Sequence, residues 1–530
     1  MLLKGLSTYF LFFSCGTSND KADIITESDQ QEALMSGENL SKKYCQSCHL
    51  YPDPSILDRD TWDRSVLPLM GRRLGIYEDI VPRERILEGA IDKKAVLEQN
   101  IFPTQKLISE ASWEKIQEFY LSGSPNNLPP IQKTNSGFFP LNLFEMWVPP
   151  IGNTGLTSTL LKIDPKTSQV YQGGQQGKIG LIRILNKQLE LIEEIKLPTA
   201  PTDIEFGEDR LAVTLAGSLR LAPNNNSFGE LIYLFRNPGE INYSSYRKFL
   251  GLLNRPVQTL FEDMDENGFE DILIAEFGYY TGALNLYVNS GDQSELYQKS
   301  TLKNTPGAIR IQVQDMTGDG YKDMVVLFAQ GDERISIFTN DGKGGFKEET
   351  VLRFNPSYGS VFFKLVDMNK DGFPDILYCN GDNGDYPPIL KNYHGIRIYE
   401  NDGKNNFEQV FFYPMNGTFK CDTADFDQDG DLDIMGIAYF PDFQAEPRQD
   451  LVYLKNEGKY LFSPHLIKNE LASRWITFDI GDMDGDGFPE VLLGASGVYG
   501  EKVNSKNINI SAPSLVVLKN MGREGFDSPN

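Results

Sequence analysis

Apolar residues along most of the chain occur in short runs separated by polar turns, and this pattern predicts β-strands. The runs are rich in β-branched residues, as in DILIA at 271–275 and DILYC at 375–379. Several runs lead into Asn-Asp-Gly or a similar tripeptide, which is typical of tight hairpin turns. From residue 151 onward, the sequence therefore predicts an all-β fold.

The region before the strands has a helical period instead. Leu40 and Tyr44 are four residues apart, and Trp113, Ile116 and Tyr120 fall on one face of a second segment. This spacing predicts two amphipathic helices, so residues 31–125 are interpreted as a small all-α domain. Residues 126–150 are rich in Pro, Asn and Ser and are interpreted as a linker. Its run at 138–147 is a candidate closing strand for the last unit of the β-region.

Five segments of the β-region share the pattern D-x-[DNT]-x-[DN]-G-x-x-[DE] and begin 52 to 58 residues apart. Oxygen ligands at positions 1, 3, 5 and 9 around a glycine turn can converge on a hard cation, so we expect calcium sites. A solvated acidic turn is the alternative for any single loop, and five copies in register favour calcium. The candidate ligands are Asp263, Asp265, Asn267 and Asp271; Asp315, Thr317, Asp319 and Asp323; Asp367, Asn369, Asp371 and Asp375; Asp425, Asp427, Asp429 and Asp433; and Asp482, Asp484, Asp486 and Glu490.

Each repeat contains a strand, an acidic loop, a strand, a long loop, a strand, a tight turn and a strand. Two earlier units, at 158–186 and 202–239, have the strands without the acidic residues, which makes seven units. A period of this length with four strands predicts propeller blades. The pattern resembles the FG-GAP or VCBS (integrin-type) repeats of bacterial β-propeller proteins. Residues 151–530 are therefore interpreted as a seven-bladed propeller.

The helical region contains the segment C-x-x-C-H at Cys45, Cys48 and His49, the attachment signature for haem c. A zinc site would need a second ligand pair nearby, and the region has none. With the flanking helices, the segment resembles class I cytochrome c, which implies covalent haem with His49 as the proximal ligand. Resemblance to small cytochrome modules attached to bacterial propellers implies Met70 as the sixth ligand, and the alternative is a core methionine. Arg72 and Arg73 are candidate partners of the haem propionates or ordinary surface arginines.

The first fifteen residues resemble a bacterial lipoprotein signal that ends at Cys15, the candidate lipidation site. Residues 16–30 would then be a tether, and the alternative is an ordinary cleaved signal. The resemblance implies an exported, lipid-anchored protein in the periplasm or outer membrane of a Gram-negative-type bacterium. Cys379 and Cys421 are either buried free thiols or a disulfide.

The net charge of −24 argues against a nucleic-acid partner, because so negative a surface repels phosphates. Strand order places the acidic loops and tight turns on one face and the long loops on the other. The long-loop cluster of Tyr386, Lys391, Tyr393 and His394 is a candidate surface for a protein or carbohydrate ligand. The alternative is that these loops only pack against each other.

The sequence thus predicts an electron-transfer lipoprotein that binds haem c and uses a calcium-stabilised propeller for recognition, and not an enzyme. One alternative is an adhesion or scaffold lipoprotein with a vestigial redox role. The other is a cytochrome-linked, quinone-dependent sugar or alcohol dehydrogenase. That enzyme would need many convergent polar residues, whereas the only histidines of the β-region are His394 and His465. The redox partner is not identified by the sequence.

Overall fold

The computed structural model has a small helical domain followed by a ring of β-sheets. No helix among the residues it describes is long and apolar enough to cross a membrane. The described residues are 32–77, 83, 93–131, 139–140, 143–152, 154–207, 210–219, 222–236, 242–292, 297–384, 389–445, 448–467, 471, 473–496, 499–503, 506–510 and 513–522.

The helical domain contains the two helices that the sequence predicts, joined by further helical turns. Ser36 caps the first helix and Ser109 caps the last, each through its side-chain oxygen. The elements are α1 (Gly37–Cys45), a 3₁₀ turn (Pro54–Ile56), α2 (α-helical Arg59–Thr61, π-helical Trp62–Val66 and α-helical Leu67–Arg73), α3 (Lys93–Glu98) and α4 (Glu110–Gly123).

Helices α1 and α4 cross closely at Gly37. A Cβ at this position would lie 2.2 Å from the carbonyl oxygen of Lys115, so no larger residue fits without moving the backbone. Leu40, Trp113 and Ile116 fill the core beneath the crossing. The close contact explains why a glycine stands one turn before Leu40.

The described strands form seven blades of four strands each, as the sequence predicts. The two blades without acidic loops come first. They comprise β3 (Thr157–Ile163), β4 (Val170–Gln176), β5 (Ile179–Leu185) and β6 (Leu191–Leu197) in blade 1, and β7 (Pro201–Phe206), β8 (Arg210–Leu215), β9 (Gly229–Arg236) and β10 (Tyr243–Leu253) in blade 2.

The next three blades each contain one acidic loop between their first two strands. They comprise β11 (Pro256–Glu262), β12 (Asp271–Glu276), β13 (Ala283–Val288) and β14 (Gln298–Lys303) in blade 3; β15 (Ala308–Gln314), β16 (Asp323–Phe328), β17 (Arg334–Asn340) and β18 (Phe346–Arg353) in blade 4; and β19 (Ser360–Val366), β20 (Asp375–Asn380), β21 (Gly395–Asn401) and β22 (Phe407–Pro414) in blade 5.

The last two blades receive strands from the linker. They comprise β23 (Thr418–Ala424), β24 (Asp433–Ala438), β25 (Leu451–Asn456) and β26 (Phe462–Leu466) in blade 6, and β27 (Trp475–Gly481), β28 (Glu490–Ala495) and β31 (Leu515–Asn520) in blade 7, with a hairpin of β29 (Tyr499–Val503) and β30 (Lys506–Ile510) between β28 and β31.

The linker closes the ring, as the sequence predicts. Strand β2 (Phe144–Trp147) pairs antiparallel with β31 and is the fourth strand of blade 7. A pairing that the sequence did not predict lies just before it, where β1 (Phe139–Pro140) pairs parallel with the outer strand of blade 6. The linker therefore holds the last two blades together.

The helical domain lies on the long-loop face of the propeller, over blades 3, 4 and 5. The ring of Tyr280 from blade 3 packs edge-on against Phe102, with 5.2 Å between ring centroids. The hydroxyl of Tyr393 from blade 5 donates to the carbonyl oxygen of Ile56, at 3.1 Å. Ile389, from the same loop of blade 5, packs against the helical core. The loops between second and third strands thus form the docking surface.

Candidate functional site

A cavity of about 750 Å³ lies between the helical domain and the propeller. Cys45 is the last residue of α1, and the turn that follows brings Cys48 and His49 to the same cavity wall. Met70, on α2, lines the cavity as well. The structure therefore brings together the four residues that the sequence singles out in this domain.

The His49 ring is held in one tautomer by its neighbour. Its Nδ1 lies 2.8 Å from the carbonyl oxygen of Leu50, which can only accept, so Nδ1 carries the proton and donates. Burial lowers the pKa of His49 below its usual range. The imidazole is therefore neutral at pH 7, and its Nε2 has the lone pair that a metal requires.

The Cys45 thiol lies deeper in the helical domain than that of Cys48. Burial raises its pKa to about 11, so the thiol is protonated at neutral pH. The hydroxyl of Tyr120 lies 3.9 Å from its sulfur and donates to the carbonyl oxygen of Pro52 at 2.9 Å. The aromatic and aliphatic side chains of the core, including Trp62, form the inner end of the cavity.

The acidic loops have a common hydrogen-bond geometry. In each, a carboxylate oxygen of the aspartate at position 1 accepts the N–H of the glycine at position 6, at 2.8–3.0 Å. These glycines have φ between +89° at Gly268 and +98° at Gly430, a region that favours glycine. The side chain at position 5 accepts the N–H of position 7, at 2.8–3.0 Å. Backbone donors thus fold each loop around its oxygen ligands.

The acidic residue at position 9 is also part of the blade's own framework. In blade 4, one oxygen of Asp323 accepts the N–H of Met316 at 2.8 Å, and the other accepts the N–H of Asn340 at 2.8 Å. Blades 3, 5 and 6 repeat this pair of bonds. The position-9 carboxylate therefore joins the acidic loop to the tight turn, a role that the ligand pattern alone does not indicate.

Among the described residues, three acidic loops hold three carboxylates close enough to share one cation. Within each group the oxygens lie within 4.8 Å of one another. Burial raises the pKa of Asp433 and of Glu490 to about 7, because their charged forms are poorly solvated. The groups are Asp263, Asp265 and Asp271; Asp425, Asp427 and Asp429; and Asp482, Asp484 and Glu490.

A lysine lies over the loop of blade 6 and contacts two of its candidate ligands, whereas the equivalent Lys519 of blade 7 reaches one, Asp484, at 3.6 Å. The ammonium of Lys455 contacts a carboxylate oxygen of Asp427 and lies 3.3 Å from one of Asp429. The equivalent position in blade 3 is Val288, which brings no charge. Blade 6 thus places a cation of its own against two candidate ligands.

An aromatic ring at position 7 covers the tight turn in four of the blades with acidic loops. In blade 5, a Cβ at Gly403 would lie 2.9 Å from the Phe373 ring, so the turn needs glycine for contact as well as for conformation. Blade 6 has Asp431 at this position, and a Cβ at its Gly458 would meet nothing within 4 Å. The covering residues and their glycines are Phe269 on Gly291, Tyr321 on Gly342, Phe373 on Gly403 and Phe488 on Gly522.

The long-loop cluster is not the exposed surface that the sequence suggested. Lys391 and His394 are both buried, at 1% exposure, and Tyr393 contacts the helical domain. For these residues the structure supports the packing alternative. Tyr386, the fourth member, lies outside the described residues, as do Cys15, the signal and the tether.

Cys379 and Cys421 are free thiols in the structure, both buried between blades 5 and 6. Burial, together with the neighbouring Cys379 side chain, raises the pKa of Cys421 well above its usual range. Of the two alternatives, the structure therefore has the thiol form.

Two overlapping stretches of the propeller are similar to a known family of repeats. Residues 263–326 and 315–378 match the FG-GAP-like repeat family. Similar solved structures include the N-terminal domain of Nup159 (11% identity, TM-score 0.41, 74% of this chain and 99% of that chain). Another is BBS1N in complex with ARL6DN (10% identity, TM-score 0.42, 72% of this chain and 98% of that chain). The protein therefore carries FG-GAP-like repeats on a seven-bladed β-propeller.

Proposed function

We propose that the protein is an exported electron carrier that binds haem c covalently through Cys45 and Cys48, with His49 as the proximal ligand. The observation that carries the proposal is the shared cavity. Both thiols, the imidazole and Met70 line one space of about 750 Å³, within the range of about 300–1,000 Å³ typical of organic ligand pockets. The cofactor would supply one-electron redox chemistry.

The residues around the cavity fit such a group. The inner end is apolar and formed by residues such as Trp62 and Leu67, which exclude water from a macrocycle. The Leu50 carbonyl fixes the His49 ring so that Nε2 is the nitrogen available to iron. The neutral state of the imidazole favours ligation, because a protonated ring cannot bind a metal.

Met70 is the proposed sixth ligand. Its side chain packs against the helical core and also lines the same cavity as His49, as a sixth ligand would have to do. Arg73, the residue after Arg72, also lines the cavity. It is therefore a better candidate than Arg72 for pairing with the haem propionates.

A visible spectrum tests the proposal. Protein exported by a cell with c-type maturation enzymes should show the α-band of reduced haem c, and Met70→Ala should remove the methionine-to-iron charge-transfer band. Met521→Ala, at an exposed position, is the matched control and should keep that band. A wild-type protein without a haem spectrum would overturn the proposal, and a band that survives in Met70→Ala would overturn the ligand assignment.

The propeller is proposed to bind calcium at its acidic loops and to recognise a ligand or partner. Unpaired carboxylates held this close repel each other, and a cation that binds only the folded state stabilises it. Asp367→Ala with Asp371→Ala should remove about one bound calcium, because each loop lies in its own blade. Atomic emission that gives the same calcium content as the wild type would exclude that loop.

Cys15 is proposed to be lipidated, so that the protein is anchored to a membrane by lipid alone. Growth with labelled palmitate should label the wild type and leave Cys15→Ala unlabelled. Cys379→Ala removes a buried thiol and should stay labelled. Equal labelling of wild type and Cys15→Ala would overturn the anchor.

A further inference from the structure

We infer that the propeller forms one wall of the cofactor pocket, and that Arg353 of blade 4 and Arg73 of α2 together bind the carboxylate edge of the cofactor. This inference rests on the proposed function, because it concerns residues that face the proposed haem. It assigns a positioning role to a propeller residue that the sequence pattern did not single out.

The cavity is bordered by both domains. It extends from Trp62 and Ile116 in the helical core, past Cys48 and His49, to Arg353 on the propeller. The propeller side includes residues of blade 3, blade 4 and the connections that follow them. They include Tyr280, Lys303, Asp332, Arg334, Glu348 and Arg353. A group attached to the thiols would therefore face the propeller.

The propeller wall of the cavity carries a network of charged side chains. Nε of Arg353 lies 2.6 Å from Oδ1 of Asp332, and Nη1 of Arg334 lies 3.4 Å from Oδ2 of the same carboxylate. Arg334 also approaches Glu348 at 3.4 Å, and Lys303 pairs with Glu348 at 2.5 Å. Three cations thus share two carboxylates, which leaves one positive charge unbalanced.

Arg73 adds a second positive charge from the opposite wall. Its guanidinium lies 5.5 Å from the Tyr280 ring centroid and 6.0 Å from that of Phe102. Within the described part of the chain, its contacts are with these rings and not with a carboxylate. Two unbalanced positive charges match the two propionates of a haem.

The other acidic group on the wall does not cancel these charges. Glu333 lines the cavity, but burial raises its pKa to about 7, and the buried ammonium of Lys391 acts on the charge that remains. Asp332, Arg353 and Arg73 line the same cavity as His49. A dicarboxylate edge is thus the ligand that this wall fits.

Arg353→Gln in the full chain tests the inference through the midpoint potential. Loss of a positive charge near the haem stabilises the oxidised state, which is the more positive one, so the potential should fall. Lys404→Gln is the matched control, because it removes one charge from an exposed tight turn on the opposite face and should not shift the potential. Arg73→Gln should lower the potential as well and serves as a second variant if Arg353→Gln misfolds.

Hydrogen exchange supplies a readout that does not depend on redox activity. The amides of residues 329–333 should exchange more slowly in the haem-loaded wild type than in the Cys45→Ala/Cys48→Ala chain, because the cofactor would cover them. Equal exchange, or unchanged potentials in variants with full haem content, would overturn this inference and leave the proposed function intact. A wild type without haem would overturn both.

Discussion

The acidic loops of the propeller and the Cys45–His49 segment of the helical domain are both candidate metal-binding sites, and they are built in opposite ways. Each acidic loop is folded by its own backbone donors, with the position-9 carboxylate fixed by two N–H groups in blades 3 to 6. The thiol segment instead borders an open cavity that two domains enclose.

The difference has a consequence for how each region tolerates change. A repeated loop contributes to one blade, so its loss should affect that blade and leave the ring intact. The thiol segment occurs once, and its cavity lies between two domains whose contacts include Ile56 with Tyr393, 337 residues apart. Substitutions in single acidic loops should therefore lower the stability of the propeller in small steps. Substitution of the thiols should instead abolish cofactor attachment altogether.

Removal of calcium from every loop should destabilise the protein more than any single substitution. A site at about a hundred times its Kd contributes about 2.7 kcal/mol, so three assembled loops together exceed any single substitution. Scanning calorimetry with calcium and with chelator should show a large fall in the propeller's melting temperature. Magnesium should restore less, because it demands a smaller octahedral shell. A melting temperature that changes with neither calcium nor chelator would contradict the interpretation of the acidic loops as calcium sites.

Gly37→Ala should cause the next largest destabilisation, and this destabilisation should be confined to the helical domain. The added Cβ would lie 2.2 Å from the Lys115 carbonyl, which cannot move without displacing α4. Overpacking of this kind costs about 1–3 kcal/mol. Hydrogen exchange in α1 and α4 should rise while the calcium dependence of the propeller stays the same. Lys42→Ala, at an exposed position of α1, is the control, and equal exchange in the two variants would show that the helices are not tightly crossed.

Lys455→Gln should strengthen calcium binding in blade 6. The lysine ammonium competes with a cation for Asp427 and Asp429, so its removal should tighten that loop by about tenfold, or about 1.4 kcal/mol. Lys459→Gln removes the same charge from the exposed tight turn of this blade and should have a smaller effect. Calorimetric titration that gives the two variants the same affinity would argue against competition.

Phe373→Ala should have the smallest effect. The ring covers Gly403 but is 46% exposed, so its removal should cost about 1 kcal/mol and affect only the turn of blade 5. The control is Asp431→Ala, because blade 6 has an aspartate and not an aromatic ring at this position. In that variant the amide of Gly458 should exchange at the wild-type rate. Gly403 should exchange faster in Phe373→Ala, and an unchanged rate would mean that the ring does not protect the turn.

The repeats could be predicted from sequence because their signals are local. The acidic ligands, the glycine turn and the following apolar run lie within each blade, and even the closing strand has a visible apolar pattern. The position-9 bonds, the aromatic cover of the tight turns and the Lys455 contact were missed because they join separate segments of a blade. The asparagine that recurs before each tight turn is the signal that could have indicated the first of these.

Docking of the helical domain could not be predicted from such patterns. It depends on Tyr280 and Tyr393, which stand in loops without a repeat signature. The cluster that the sequence presents as exposed is buried by contacts within the propeller, such as that of Lys391 with the Ser357 carbonyl oxygen. The Arg353 network was missed for the same reason, since its members come from separate strands and loops.

Intact-mass measurement on denatured protein shows whether haem is covalently attached to Cys45 and Cys48. After export from a cell with c-type maturation enzymes, the wild type should have the mass of the processed chain plus one haem. Cys45→Ala/Cys48→Ala should lack that addition, and Cys379→Ala/Cys421→Ala, which removes two buried thiols, should retain it. A wild type with the mass of the polypeptide alone would contradict covalent haem attachment at Cys45 and Cys48.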